Sequence, residues 1–127
     1  MRANSMKTLE DILAFYQEFP NWAGVKCTIA SKGIFGDYPL HIAATRCDVS
    51  EIEILLNAGA DLNAKGENGY TPLMNAVEQG SLDCVKLFVD FGADLESKND
   101  EGLDALALAR LHGEDQILKF LNEITVR

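Results

Sequence analysis

Few side chains in this sequence are of a type that does chemistry: His41 and His112, the thiols Cys27, Cys47 and Cys84, and 20 acidic residues set against 11 lysines and arginines. A histidine becomes a catalytic base only beside a nucleophile or substrate proton that it can reach. His41 follows Pro39-Leu40 and His112 falls at a helix junction, and neither comes with a nucleophile in a recognisable pattern. The three thiols contain no CxxC pair, so they suggest neither a zinc site nor a closed disulfide framework. Cys84, beside Val85 in an apolar pattern, reads as a small buried hydrophobe, and Cys47 as the thiol more open to oxidation. The stretch GIFG from Gly33 lacks the spacing and the following Lys-Ser/Thr of a phosphate loop. HExxH and GxSxG are absent as well. The expectation is a protein that is not an enzyme and uses no metal or cofactor.

What remains is surface, and its charge narrows the partners. The net charge of −9 over 127 residues argues against polyanions, because neutralising phosphates takes lysine and arginine. Nucleic acid and anionic membrane are thus disfavoured. An odd number of thiols fits a reducing compartment, and the N-terminus lacks the pattern of a secretory signal, so a cytoplasmic location is expected. No apolar run reaches the roughly 18 residues that suggest a membrane span.

The elements that would carry such a surface recur at a fixed step. Tyr70 to Gly102 is a unit of 33 residues, and moving back by 33 sets Pro39, Leu40, Ala43, Leu55, Gly59, Ala60, Asp61 and Leu62 over Pro72, Leu73, Ala76, Phe88, Gly92, Ala93, Asp94 and Leu95. Moving forward matches Leu73 with Leu106, Ala76 with Ala109, Gly80 with Gly113 and Phe88 with Leu121. A fixed period of this length marks a stacked-repeat architecture. Within each unit a proline or cap residue starts a short, narrow helix, a second helix with larger aliphatic residues follows, and a loop rich in turn formers closes the unit. The second helices are expected from about Val49 or Ser50 to Asn57, between a cap at Ser81 and a stop at Gly92, and from Glu114 to Ile124, with Asp104 to Leu111 as the last first-type helix. Gly59 and Gly92 are placed to take the left-handed conformation after the last turn.

Before the repeats, Thr8 can cap a helix from Leu9 whose residues Leu9, Ile12, Leu13, Tyr16 and Phe19 share one face, and Pro20 should end it. Asn21 to Phe35 follows no period and is expected to make a short turn or helix around Trp22. The division is a tail or cloning scar over 1–7, an N-terminal helical cap over 8–36, repeats over 37–69 and 70–102, and a capping repeat over 103–127.

At YTPLMNA with GADL further on, and at DYPLHIAA with GADLNAKGENG, the chain closely resembles the ankyrin repeat. The resemblance covers Gly33 to about Asn122. It implies an all-α solenoid of stacked helix-turn-helix units with hairpin loops, an atypical N-terminal helical cap and a truncated C-terminal repeat. Three departures stand out: Tyr38 in place of the usual Thr, Cys47 in place of the Gly between helices, and Asp104-Ala105 in place of Thr-Pro. The first two should weaken local capping and turn geometry. The resemblance also gives His41 a structural role, hydrogen bonding between adjacent loops.

Such domains bind other proteins through loop tips and the exposed face of the inner helices, expected to be concave. Carried over, the partner-binding positions are Phe35, Asp37 and Arg46 in the first unit and Glu67, Asn68, Tyr70, Glu78 and Gln79 in the second. Asp100, Glu101, Leu111 and His112 complete the set. Tyr70 reads as an interface anchor, whereas Phe35 reads first as a residue packed in place, and any single acid as solvated surface. The reading is a protein-binding module, monomeric or in a 1:1 heterodimer. A basic toxin, nuclease-like, neutralised by an acidic immunity protein, is the concrete form. The alternatives are a general adaptor or scaffold, and an accessory subunit of an enzyme complex.

Overall fold

In a computed structural model the described residues are 7–125, and they form seven α-helices and two short 3₁₀ turns. Helix α1 spans Leu9–Gln17, α2 Pro39–Arg46, α3 Val49–Asn57, α4 Pro72–Gln79, α5 Leu82–Asp90, α6 Ala105–Leu111 and α7 Asp115–Thr125, with 3₁₀ turns at Pro20–Trp22 and Glu67–Gly69. Residues 1–6, the larger part of the expected tail, lie outside the described residues. Lys7, placed in that tail, instead reaches back to the first repeat.

The helix starts follow from their side chains. Thr8 and Asp11 form a reciprocal capping box on α1, Thr71 accepts from the Met74 N–H, Ser81 from Cys84 and Asp104 from Ala107. Asp104 is therefore the cap of α6, not its first residue, and α7 begins at Asp115, one residue later than the periodicity suggests. Tyr38 makes no side-chain cap on α2. There His41 compensates by accepting the Tyr38 N–H at its Nδ1.

The 33-residue step is visible in the backbone. Gly33 N–H donates to Asp37 O, Gly66 to Tyr70 and Asn99 to Leu103, at 2.8, 2.8 and 2.9 Å, closing three equivalent loops. These loops close as turns, and among the described residues none pairs as a strand, so the expected hairpins lack a ladder.

Helices α2, α4 and α6 pack on one another as one layer, and α3, α5 and α7 as the other. The layers meet over Leu40, Ile52, Leu55, Leu73, Val85, Phe88, Leu108, Ile117 and Leu121, all buried. Each such side chain contributes about 1.5–3 kcal/mol on leaving water. Helix α1 lies against α3, in the neighbour relation that α3 has with α5, and seals the start of the stack with buried Ile12, Tyr16 and Trp22.

Candidate functional site

The loops and the C-terminal ends of the inner helices bring residues of successive units together. Asp37, Glu67, Asn68, Tyr70, Asn75 and Glu78 line a shallow cavity of about 150 Å³. Asp37 Oδ1 accepts the Glu67 N–H at 2.9 Å, and the Asp100 N–H donates to Asn68 O at 3.0 Å, so the loops are stitched side by side. Asn68 is left-handed at φ 60, a conformation asparagine tolerates better than most residues.

Tyr70 is half-buried, and its hydroxyl donates to Glu78 Oε2 at 3.1 Å. Burial, then that carboxylate, raises the pKa of the phenol above its ordinary value, which keeps the proton on the donor. His112, at the end of α6, places Nε2 3.6 Å from the same Glu78 oxygen. Two successive units therefore meet at Glu78. Gln79, Asp100 and Glu101 are exposed beside these residues in the sequence, and Leu111 is 67% exposed.

Two candidates stand apart from that cavity. Phe35 is 51% exposed and absent from the core, which corrects the expectation that it packs in place. The loop turn between Gly33 and Gly36 directs it outward, closed by its own backbone bond of 2.9 Å. Arg46 faces the N-terminal cap. Its Nε donates to Glu51 Oε1 at 3.0 Å and its guanidinium lies 4.9 Å from the Phe15 ring centroid.

Glu51 is the residue that sequence reasoning missed. Only 1% exposed, its carboxylate accepts from Tyr16 Oη at 2.5 Å, from Arg46 and from Lys7 Nζ at 3.0 Å. Burial works against its charge, but these donors outweigh it and hold the carboxyl below its ordinary range. The same burial and the neighbouring carboxylate push the Tyr16 phenol far upward. The 33-residue register held a clue, since Glu51 stands over Cys84 at a core position.

His41 is buried, and its two ring nitrogens are both engaged. With Nδ1 accepting from Tyr38, Nε2 carries the proton and donates to the carbonyls of Ala64 at 3.0 Å and Tyr70 at 2.9 Å. Burial lowers its pKa against the pull of Asp37 and those carbonyls, in keeping with a neutral ring. Neither nitrogen is free to act as a base. Cys27, pushed up to about 11 by burial, and Cys84, also raised chiefly by burial, are protonated thiols at neutral pH. Among the described residues no cluster of His, Cys, Asp and Glu is placed to hold a metal ion, and no helix is long and apolar enough to cross a membrane.

A two-layer stack of helix pairs at a 33-residue step, with its loops side by side along one edge, defines a repeat solenoid. Residues 5–99 and 40–126 match the family described as ankyrin repeats (3 copies), and the chain belongs to that family. The first match takes in α1, whose place against α3 is that of an outer helix. No curated protein matches the chain. Ankyrin repeats are protein–protein interaction modules, and that is the class of function they give this chain.

Proposed function

We propose that the chain is a non-catalytic inhibitor-type binding protein. It docks one basic protein against the surface made by the loop tips and the ends of α2, α4 and α6. The observation that supports this reading is the gathering of Asp37, Glu67 and Glu78 around one cavity, with Asp100 hydrogen-bonded alongside. Lys32, Lys65 and Lys98 are exposed just before the three loop tips, so the local excess of acid is slight. It is the charge of the whole molecule whose potential speeds encounter with a partner of the opposite sign. A nuclease-like toxin is basic because its substrate is polyanionic, and an acidic immunity protein held in the cytoplasm is complementary to it. The net charge of −9 favours this over a general adaptor.

The test is a pull-down from lysate of the source cells, comparing wild type with a Tyr70→Ala, Glu78→Lys variant and identifying the retained proteins by mass spectrometry. One stoichiometric basic protein, lost in the variant, is expected. Its nuclease activity should fall when the wild-type chain is added. Many weak partners that ignore the variant would overturn the reading in favour of an adaptor.

A further inference from the structure

The three loop tips close at the same register and differ in chemistry. Gly36 N–H donates to Gly33 O, Gly69 to Gly66 and Gly102 to Asn99, at 2.9, 3.0 and 2.9 Å, so each tip closes on a bond of the same spacing, with a left-handed non-glycine residue inside it, Asn68, in the second alone. Between those bonds the first tip carries Ile34-Phe35, the second Glu67-Asn68 and the third Asp100-Glu101. The turn itself does not call for apolar side chains, since Asp100 and Glu101 serve the third tip, which like the first has no left-handed residue between its ends other than glycine. Ile34 and Phe35 are nonetheless 52% and 51% exposed, side by side, and neither packs against the core.

This tip is also firmly held. Ile34 N–H donates to Asn21 O at 2.7 Å, tying it to the cap. A Cβ on Gly33 would meet that same oxygen at 2.6 Å, so only glycine lets the two strands of chain approach so closely. An exposed apolar pair on a fixed backbone loses little further freedom on binding, which is what makes an anchor effective.

From this, we propose that Ile34 and Phe35 are the principal anchor for a protein partner, in preference to Tyr70, whose hydroxyl is already spent on Glu78. The inference rests on the reading of the chain as a binder of a basic protein and names the chemistry of that partner's surface. The partner presents an apolar cleft for the Ile34-Phe35 tip. Lysines or arginines lie beside it, about 10 Å along for Glu67 and a further step on for Asp100 and Glu101, the spacing of packed helices. A second copy of the chain is a poor occupant, because it brings the same net charge of −9. Anionic membrane and nucleic acid are disfavoured by the same net charge.

The experiment places p-benzoylphenylalanine at position 35, 79 or 91 of the full chain and irradiates each in lysate of the source cells. Position 79 reports on the inner-helix surface, and position 91 on an exposed aromatic at the end of α5. One adduct common to 35 and 79, absent at 91, and mapped from 35 to an apolar segment flanked by lysine or arginine, is expected. Against that purified protein Phe35→Ser should weaken binding by about thirtyfold, the loss of a central anchor, and Tyr70→Phe by less than threefold. An adduct at 79 alone would overturn the anchor and leave the binding surface standing. So would an adduct at 35 mapped to an acidic segment or to a second copy of this chain. Adducts at 91 alone, or none at any position, would overturn both.

Discussion

Helices α3 and α5 occupy equivalent places 33 residues apart, each capped by a short polar side chain, Asp48 or Ser81, and each buried against the preceding outer-layer helix. At the third residue after the cap they part: Glu51 in one, Cys84 in the other, both sealed from solvent. The first site is surrounded by donors, Tyr16 and Lys7 from the cap and Arg46 from α2. The second has no counterpart to them, since Gln79 stands where Arg46 does and its side chain is exposed. One backbone position thus hosts an ion or a thiol according to what the neighbouring element offers. Nothing about the ankyrin stack demands the ion; it ties α1 to the first repeat beside the apolar contacts of Ile12 and Tyr16.

The most severe way to test that contrast is to move the carboxylate. Cys84→Glu buries a charge with no donor waiting, and is expected to cost about 5 kcal/mol, a large part of the stability of a domain this size. A urea midpoint near that of wild type would show that the α3–α5 junction can open to water. The converse change, Glu51→Ala, strands Arg46, Lys7 and the Tyr16 hydroxyl, and should cost about 3–5 kcal/mol. Replacing the group together, Glu51→Leu with Tyr16→Phe and Arg46→Met, should recover most of that loss, because an apolar replacement of a whole buried network is close to neutral. The Glu51 contribution also has a pH window. Its folded pKa lies below the ordinary 4.5, so the stabilisation is complete above that value and disappears as pH falls through the folded pKa. In Glu51→Gln that acid-side loss should flatten.

The same contrast explains what could be read from the residues alone. The step of 33, the caps Thr8, Thr71 and Ser81, and the glycine stops are local or periodic, and the structure reproduces them within a residue. The Glu51 network is neither. Tyr16 and Lys7 lie 35 and 44 residues from it, and an acid in the first turn of a helix is an ordinary solvated feature with a dipole to complement. The candidate surface was partly legible for the same reason: register assembles Asp37, Glu67, Tyr70 and Glu78 around one cavity, but exposure at a loop tip depends on packing that no period encodes. Phe35, expected to pack in place, is exposed, while Tyr70 is half-buried.

A milder test sits at the pair His41 and Met74, again 33 residues apart and both buried in the inner layer. His41 has a folded pKa below the ordinary 6.5, so its neutral form is the one the fold requires. Its contribution is present above that value and is lost as pH falls, when the unfolded chain takes up the proton more readily. Between pH 6.5 and 5 the wild type should lose stability with a slope of at most about 1.4 kcal/mol per unit. His41→Met, which copies the second unit, should remove that slope while lowering the plateau at pH 7.5, because the Ala64 and Tyr70 carbonyls lose their donor. An unchanged slope in the variant would assign it to other groups.

The smallest effect concerns the turn between each inner and outer helix, where the first repeat departs from the second without any compensating contact of weight. Cys47 is held left-handed at φ 56, and Gly80, its equivalent, sits at φ 77. A side chain there crowds the following carbonyl, at a cost of about 1–2 kcal/mol, offset by the greater freedom that glycine loses on folding. The thiol gives little back, since its nearest acceptor is Thr45 O at 3.9 Å. Cys47→Gly should therefore stabilise the fold by up to about 1 kcal/mol, a rise of roughly 4 °C in Tm. Gly80→Ala should move the other way, because a side chain is strained at φ 77, whereas the nearby Glu114 carboxylate is the end of a flexible side chain that can swing aside. Opposite signs for the two changes would locate the strain of the first repeat in its turn. A neutral Cys47→Gly would instead place the cost of the departure in α2, at the start where Tyr38 leaves the helix without a side-chain cap.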